Sequence, residues 1–296
     1  MKILIAFLVV ALQKNNKPVG HEYCRTLVNQ WYFVRATDAR FSSNSLLSFL
    51  FLVMAPVFFV SMIRAISEGF WAFLLSFLLG FLVLMMGLTL HKLRRRMFRY
   101  RRAWIDHNEN EMKDLAFNDW QVDRTLTSYN LHNQVIDRML ICAFKQAFVY
   151  LFWYWFIGVE GLLFYFLSQA WLAAANQFDD QFEDKPANRW VNYLMMGIHL
   201  VNNLAARLLA MSFLFSGNAL RGMKGIVTDS VLNLTVTTTT LVVRSARSTL
   251  SLDYLVDNGA DNTLLGKQQI IVIRKLISRT LGVWFIGFAL LAILVP

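Results

Sequence analysis

The chain has 296 residues, of which 56% are hydrophobic and 16% charged, and its formal net charge is +10. Soluble domains carry about 25% charged and about 45–50% apolar residues, and a chain of about 300 residues has too little interior to hide this excess from water. The composition argues against a soluble enzyme and predicts an integral membrane protein. The two cysteines, Cys24 and Cys142, are far apart in sequence, so neither a disulfide framework nor a metal site is expected from them.

The first predicted element is a short apolar helix near the N-terminus. Residues 3–12 are apolar, but a transmembrane helix needs about 20 such residues, and the stretch has the length of a signal-peptide hydrophobic region. Polar residues at 13–17 follow in place of a small-residue cleavage site. We therefore expect residues 1–44 to comprise a retained helix, lying in the membrane interface or packed against the bundle, and a cytoplasmic segment.

Longer apolar stretches predict about five transmembrane helices. A first hairpin occupies residues 45–90, a second and very aromatic one occupies 146–216, and a shorter span lies at 278–296. The apolar stretches themselves are 46–62, 70–90, 147–171, 191–215 and 281–296. The predicted fold is thus an all-α integral membrane protein with about five transmembrane helices and short amphipathic cytoplasmic helices.

Loop charge sets the predicted orientation. The stretch 91–102 holds seven basic residues and no acid, whereas 172–189 is net acidic. Because Lys and Arg accumulate in cytoplasmic loops, the N-terminus and the segments 91–145 and 217–277 are predicted to be cytoplasmic, with the acidic loop and the C-terminus outside. The basic run also suits nucleic-acid or anionic-lipid binding. An orientation signal is the simpler interpretation, and no nucleic-acid partner is predicted.

The predicted cytoplasmic segments contain amphipathic and ambiguous stretches. Apolar residues recur at helical spacing within 105–140, which predicts two short amphipathic helices packed on the base of the bundle. The segment 226–252 contains a Val- and Thr-rich run with strand propensity. A lone strand would have no pairing partner there, so helix and strand both remain open.

Polar residues inside the predicted spans form the candidate site, because such residues are costly in a bilayer and usually face the bundle interior. Glu160 is the one acid of the third span. In the fourth span His199, Asn203 and Arg207 are spaced by four residues and share one helical face, with Asn202 beside them. We expect Glu160 to face these residues across the helix interface and to form a buried ligand site with them. Arg207 would then pair with Glu160 or with an anionic ligand. The alternative is that these groups join helices by hydrogen bonds worth about 0.6 kcal/mol each.

No motif in the sequence identifies a catalytic residue or a metal ligand. The consecutive aromatic residues 152–156 could line a ligand cage, but they cover every face of a helix and are better explained by packing. The prediction is therefore a polar site without catalytic residues, metal or cofactor.

Three sequence patterns in the predicted second hairpin stand out. They are Phe148-x-x-x-Phe152-Trp153-Tyr154-x-x-x-Gly158, then Leu162-Leu163-x-Tyr165-x-Leu167, then Asn202-Asn203-Leu204-x-x-Arg207-Leu208-Leu209-Ala210-x-Ser212-Phe213 followed by Gly217-Asn218. With these patterns the chain resembles the AmpE family of bacterial inner-membrane proteins, which is related to the cobalamin-pathway amide synthases CobD and CbiB. The order of apolar run, early hairpin, basic stretch and final span extends the resemblance over most of the chain.

Departures from the family pattern separate the chain from the enzyme relatives. Tyr165-Phe166 stands where the family usually has Tyr-Arg, and Gln13 lies near the place of an N-terminal acid. The run from Asn202 to Arg207 replaces a common Asp-Trp-x-Pro-x-Arg pattern. Loss of two acids and one Arg, with Arg207 kept, suits a non-catalytic regulatory relative.

The resemblance implies a multipass regulatory protein of the Gram-negative inner membrane, linked to cell-wall status and β-lactamase induction. Its partners would be the lipid bilayer and either a cell-wall-derived ligand or another protein. One alternative is a membrane amide-forming enzyme of the CobD/CbiB type, with Asp106, Glu109, Glu111 and Asp114 available to bind a metal-nucleotide. Another is a small-solute transporter, which interrupted spans would support, although the sequence leads us to expect none.

Overall fold

The computed structural model describes residues 2–15, 47, 49–66, 69–179, 189–217, 237–250 and 262–294. Throughout this part every regular element is helical and no strand occurs, which confirms the predicted all-α class. Two π-helical turns, Leu50–Met54 and Phe144–Phe148, directly precede the α-helices that begin at Ala55 and Val149. The helices are α1 (Lys2–Asn15), α2 (Ala55–Ile66), α3 (Gly69–Gly87), α4 (Leu90–Ile105), α5 (Glu109–Trp120), α6 (Ser128–Ala143), α7 (Val149–Phe156), α8 (Val159–Asp179), α9 (Arg189–Ser216), α10 (Thr238–Leu250) and α11 (Asn262–Leu294).

The chain divides into two compact units. The first contains Met1–Thr89 and Tyr150–Val201, and the second contains Leu90–Val149 and Asn202–Pro296. Residues 146–216, predicted as one hairpin, therefore contribute to both units.

In the first unit, α1 packs against α3. Ile5, Ala6 and Val9 are buried, whereas Leu4 and Phe7 are exposed. The buried positions share one side of a helix with 3.6 residues per turn. Of the two placements predicted for this helix, in the interface or packed against other helices, the structure shows the packed one.

The predicted third span is not one continuous helix, because the chain reverses direction at Gly158. The rings of Tyr150 and Tyr165 lie 5.1 Å apart, whereas fifteen residues of straight helix would separate them by about 22 Å. Trp153 likewise contacts Tyr165, at 5.4 Å between centroids. Gly158 has φ +97° and its N–H bonds to the carbonyls of Trp153 and Tyr154, the pattern of a glycine that ends a helix. The prediction of a single span over 147–171 was therefore wrong, and α7 and α8 form a helical hairpin.

The aromatic run at 152–156 packs inside the first unit, as the sequence predicted. Phe152, Trp153, Tyr154 and Trp155 are buried, while Phe156 is exposed. Because Gly80 and Gly87 of α3 have no side chains, they leave room for the rings of Tyr154 and Tyr150. A Cβ at Gly80 would lie 3.3 Å from the Tyr154 hydroxyl, and one at Gly87 would lie 2.5 Å from the Tyr150 ring.

The second unit contains the amphipathic helices. The buried face of α4 consists of Leu90, Leu93, Met97, Tyr100, Ala103 and Trp104, at helical spacing. α5 begins where the Asn108 side chain accepts a hydrogen bond from the Glu111 N–H, at 3.2 Å. It ends at Gln121, which has φ 56°. The two short helices predicted within 105–140 are thus observed as α5 and α6.

Residues 238–250, within the segment left open between helix and strand, form α10. Its buried residues, Leu241, Val242, Ser245, Ala246 and Thr249, follow a helical period of four and not the alternation of a strand. Packing against α6 thus overrides the strand propensity of its threonines and valines. The rest of 226–252, residues 226–236 and 251–252, lies outside the described residues.

Within the described ranges, two stretches are long and apolar enough to cross a membrane, Leu74–Ile105 and Tyr193–Ser216. Leu50–Ile66 forms a shorter apolar helix. The sequence predicted about five spans; one of them is divided by the reversal at Gly158. Residues 278–294 of the predicted last span form the C-terminal part of α11, which begins at Asn262 inside the predicted loop 217–277.

Candidate functional site

Glu160 stands at the turn of the α7–α8 hairpin and is paired with Arg64. It lies in the first turn of α8, where the helix dipole favours an anion. Its Oε1 is 2.6 Å from Arg64 Nη1 at the end of α2. Lys2 Nζ donates a hydrogen bond to the Trp155 carbonyl, at 3.4 Å, near the same turn. The structure therefore gives Glu160 a basic partner that the predicted site did not include.

The polar residues predicted on the fourth span lie on α9. His199 is exposed and belongs to the first unit, whereas Asn202, Asn203 and Arg207 are half-buried and belong to the second. The Oδ1 atom of Asn203 is buried and has no hydrogen-bond partner among the described residues. We call His199, Asn203 and Arg207, which recur every fourth residue, the polar ridge of α9.

A continuous line of exposed apolar side chains borders the polar ridge. Leu200, Leu204 and Leu208 each follow one ridge residue directly in sequence, and they are exposed. Ala205, Leu209 and Phe213 on the opposite side of α9 are buried. We call the exposed line the apolar stripe of α9; it comprises Tyr193, Met196, Leu200, Leu204, Leu208, Met211 and Phe215.

Ser212 and Trp284 join α9 to α11 in the second unit. The Trp284 indole N–H donates to Ser212 Oγ at 2.8 Å, and Ser212 Oγ donates to the Leu208 carbonyl at 2.7 Å. The Trp284 ring also meets Phe148, at 5.4 Å between centroids. The C-terminal half of α9 is therefore anchored to α11 by a side-chain hydrogen bond.

A buried polar cluster in the second unit was not predicted from the sequence. His132 of α6 lies 3.0 Å through Nε2 from Gln269 Oε1 and 3.4 Å through Nδ1 from the Tyr100 hydroxyl. The Trp104 ring covers it, with centroids 4.3 Å apart. An amide oxygen only accepts, so Nε2 carries the proton and Nδ1 accepts from Tyr100. Burial lowers the pKa of His132 to about 4, although the hydrogen bond that His132 donates to Gln269 acts in the opposite direction.

The signal for this cluster was present in the sequence. His132 falls on the apolar face of α6, beside Leu131, Val135 and Ile136. A polar side chain on such a face needs buried partners. Those partners come from distant segments, and so the sequence pattern does not reveal them.

Side-chain hydrogen bonds also join α10 to α6. Arg247 Nε donates to Asp137 Oδ1 at 2.7 Å, and its Nη2 donates to the Asn133 carbonyl at 3.2 Å. Both side chains are partly exposed. The contact fixes the position of α10 against α6.

The carboxylates considered for a metal-nucleotide site all have partners on this chain. Each is held by a hydrogen bond or an ion pair on the surface of the second unit. The contacts are Asp106 with Arg102 at 3.6 Å, Glu109 with Ser128 at 3.5 Å, Glu111 with Asn108 at 3.2 Å and Asp114 with Arg124 at 3.2 Å.

No group of three His, Cys, Asp or Glu side chains that could hold a metal ion occurs in the part of the chain that the structure describes. Cys142 is half-buried on α6, and burial raises the pKa of its thiol. A raised pKa keeps the thiol protonated and poorly nucleophilic.

Comparisons with models of known protein families, with curated proteins and with solved structures found no match to this chain. In the part of the chain that the structure describes, the fold is all-α, with two candidate membrane-spanning stretches and a polar ridge beside an apolar stripe.

Proposed function

We propose that the chain is a multipass helical protein of the bacterial inner membrane, with a cytoplasmic N-terminus and a regulatory role of the AmpE type that relates cell-wall status to β-lactamase induction. The observation that carries the membrane part is the apolar stripe of α9. The resemblance of the patterns in α7, α8 and α9 to the AmpE family supports the regulatory part.

The apolar stripe has the length that a bilayer requires. From Tyr193 to Phe215 the helix rises by about 33 Å, and the hydrocarbon core of a bilayer is about 30 Å thick. In water these large side chains would form a continuous apolar patch of the kind that soluble monomers rarely expose. Lipid chains would cover the patch without a protein partner.

The polar ridge supplies the proposed regulatory site. It lies next to the stripe, so a ligand or partner bound there would sit at the edge of the lipid-facing surface. Arg207 can pair with a carboxylate or phosphate group of a cell-wall-derived ligand through two parallel hydrogen bonds. Ser212 lies on the same helix and accepts a hydrogen bond from Trp284 of α11, so a shift of α9 would change this contact.

Membrane insertion is tested by placing arginines in the stripe. Leu204→Arg with Leu208→Arg should reduce the membrane-inserted fraction severalfold, since an Arg at mid-span costs about 2.5–3.5 kcal/mol. Asn130→Arg with Gln134→Arg, at exposed polar positions of α6, is the matched control and should insert like the wild type. Release of the wild-type protein by an alkaline carbonate wash would overturn the membrane location.

Regulation is tested in the host bacterium by deleting the gene and measuring β-lactamase activity after exposure to a β-lactam. We expect altered induction, restored by the wild type and by Arg138→Ala at an exposed site of α6, but not by Arg207→Ala. Normal induction in the deletion strain would reject the regulatory role and leave the membrane location standing.

One observation favours transport as a second candidate function. The reversal at Gly158 and the Arg64–Glu160 pair give the first unit a helical hairpin with charged groups at its turn. Breaks in helical structure at membrane depth line the substrate sites of secondary transporters. The sequence had not led us to expect an interrupted span.

A ligand panel separates these candidates. Thermal stability of the purified protein would be measured with muropeptides, corrinoids, nucleotides and small ions, using Arg207→Ala and Arg64→Gln alongside. Stabilisation by a muropeptide that Arg207→Ala abolishes would support the regulatory site. Stabilisation by a corrinoid or nucleotide would favour an amide-forming enzyme, and a small ion whose effect requires Arg64 would favour transport.

A further inference from the structure

α4 and α11 pack as an antiparallel pair in the second unit. At one end Gly266 lies so close to Trp104 that a Cβ at this glycine would overlap the indole ring. One turn further on, Tyr100 of α4 and Gln269 of α11 bind the two ring nitrogens of the same residue, His132. Residue numbers therefore rise along α11 as they fall along α4.

The end marked by Arg94 carries basic side chains from both helices. Arg95, Arg274, Lys275 and Arg279 are exposed there, and Arg94 is half-buried. We call these five residues the basic end of the α4–α11 pair. No ion pair joins any of them to a carboxylate within the described ranges.

Three other arginines of α4 are paired with aspartates. Arg99 Nη2 lies 2.9 Å from Asp119 Oδ2, and Arg96 Nε lies 3.7 Å from Asp119 Oδ1. Arg102 pairs with Asp106. The fold thus supplies acids to Arg96, Arg99 and Arg102 and leaves the basic end with like charges that repel one another.

The basic end adjoins apolar sequence on both helices. α11 continues from Arg279 to the exposed Ile286, Leu290 and Ile293, and Arg279 to Ile286 is about 10 Å of helix. α4 follows directly in sequence on the apolar helix α3. Basic side chains placed next to lipid-exposed helix lie at the depth of the phospholipid headgroups.

We propose that the basic end binds the phosphate groups of anionic phospholipids at the membrane surface. The inference rests on the proposed membrane location and is independent of the regulatory role. An anionic phospholipid fits this surface for two reasons. Its headgroup would relieve the repulsion between Arg94 and Arg274, and its acyl chains would cover the exposed apolar residues of α11. The binding surface joins a segment near residue 94 to one near residue 279, so it exists only in the folded chain.

The experiment compares thermal unfolding of the full-length protein in nanodiscs of phosphatidylglycerol and of phosphatidylcholine with the same acyl chains. Phosphatidylglycerol should raise the Tm of the wild type by about 5 °C over phosphatidylcholine. Arg94→Gln with Arg274→Gln should abolish the difference. Arg124→Gln with Arg138→Gln, at exposed sites away from the pair, makes the same change in net charge and should keep it.

A second variant guards against loss of folding. Arg95→Gln with Lys275→Gln alters exposed side chains only and should at least halve the lipid-dependent shift. An equal Tm in both lipids for the inserted wild type, or the same loss in the Arg124/Arg138 control, would overturn the proposal. Equal stabilisation by inorganic phosphate or by a single-stranded oligonucleotide in detergent would also overturn it. A chain that does not enter nanodiscs would instead reject the membrane location.

Discussion

The imidazole of His132 and the amide of Gln269 form a buried hydrogen bond of 3.0 Å between residues 137 positions apart in sequence. The bond joins α6 to α11, and the Tyr100 hydroxyl on the other ring nitrogen adds α4. Three helices of the second unit therefore meet at one neutral imidazole, whose two nitrogens are both satisfied.

Replacing His132 by Leu should destabilise the second unit by about 2–4 kcal/mol, because the side chain of Gln269 is left buried without its partner. Thermal or denaturant unfolding in detergent measures the change. His199→Leu, at an exposed position of α9, is the control and should change stability little. Equal effects of the two substitutions would contradict the buried role of His132.

Stability should fall as the pH falls from about 6.5 to about 4, the ordinary and the folded pKa of His132. In this window the unfolded chain takes up a proton at His132 and the folded chain does not, so acid favours unfolding. The loss is about 3 kcal/mol at most, and His132 adds no further loss below the folded pKa. A His132→Gln variant should lack this part of the pH dependence, which unfolding curves across the window would show. An unchanged slope in the variant would assign the dependence to other groups.

Gly158→Ala should destabilise the first unit by about 1–2 kcal/mol, because φ +97° is strained for any residue with a Cβ. The added Cβ would also lie 3.1 Å from Glu160 Oε2. Gly282→Ala in α11, where a Cβ meets nothing within 4 Å, is the matched control. It should be neutral or stabilising by about 0.5–1 kcal/mol. Equal unfolding curves for both variants would argue against the helix reversal.

Arg64 and Glu160 should be energetically coupled by about 1 kcal/mol in a double-mutant cycle, the upper range for a pair whose Arg is half-exposed. Arg64→Glu and Glu160→Arg should each destabilise the first unit, and the double exchange should recover part of the loss. Additive effects of the two exchanges would mean that the pair does not form in solution.

Periodic local patterns were predicted well from the sequence. α5 and α6 follow from apolar residues at helical spacing, and the placement of His199, Asn203 and Arg207 on one side of α9 follows from their spacing by four. A helix of 3.6 residues per turn turns such spacing into a shared face without reference to the rest of the chain. The membrane location, the AmpE-type role and the orientation stay predictions.

The partner of Glu160 could not be found in this way. Arg64 lies 96 residues away in sequence, just beyond the predicted apolar stretch 46–62. The reversal at Gly158 depends on one backbone angle, and an average of hydropathy over a window contains no information about it. A stretch of the same composition would span a membrane if it were straight.

Composition and local spacing alone determined that this chain is helical and apolar and where most of its amphipathic faces lie, because both depend on neighbours within two or three turns. Only the tertiary structure decided that α7 and α8 fold back on each other and that residues 238–250 are helical. It also decided which partners the buried polar groups have. Each of these outcomes depends on contacts between segments distant in sequence, where burial against another helix outweighs local propensity.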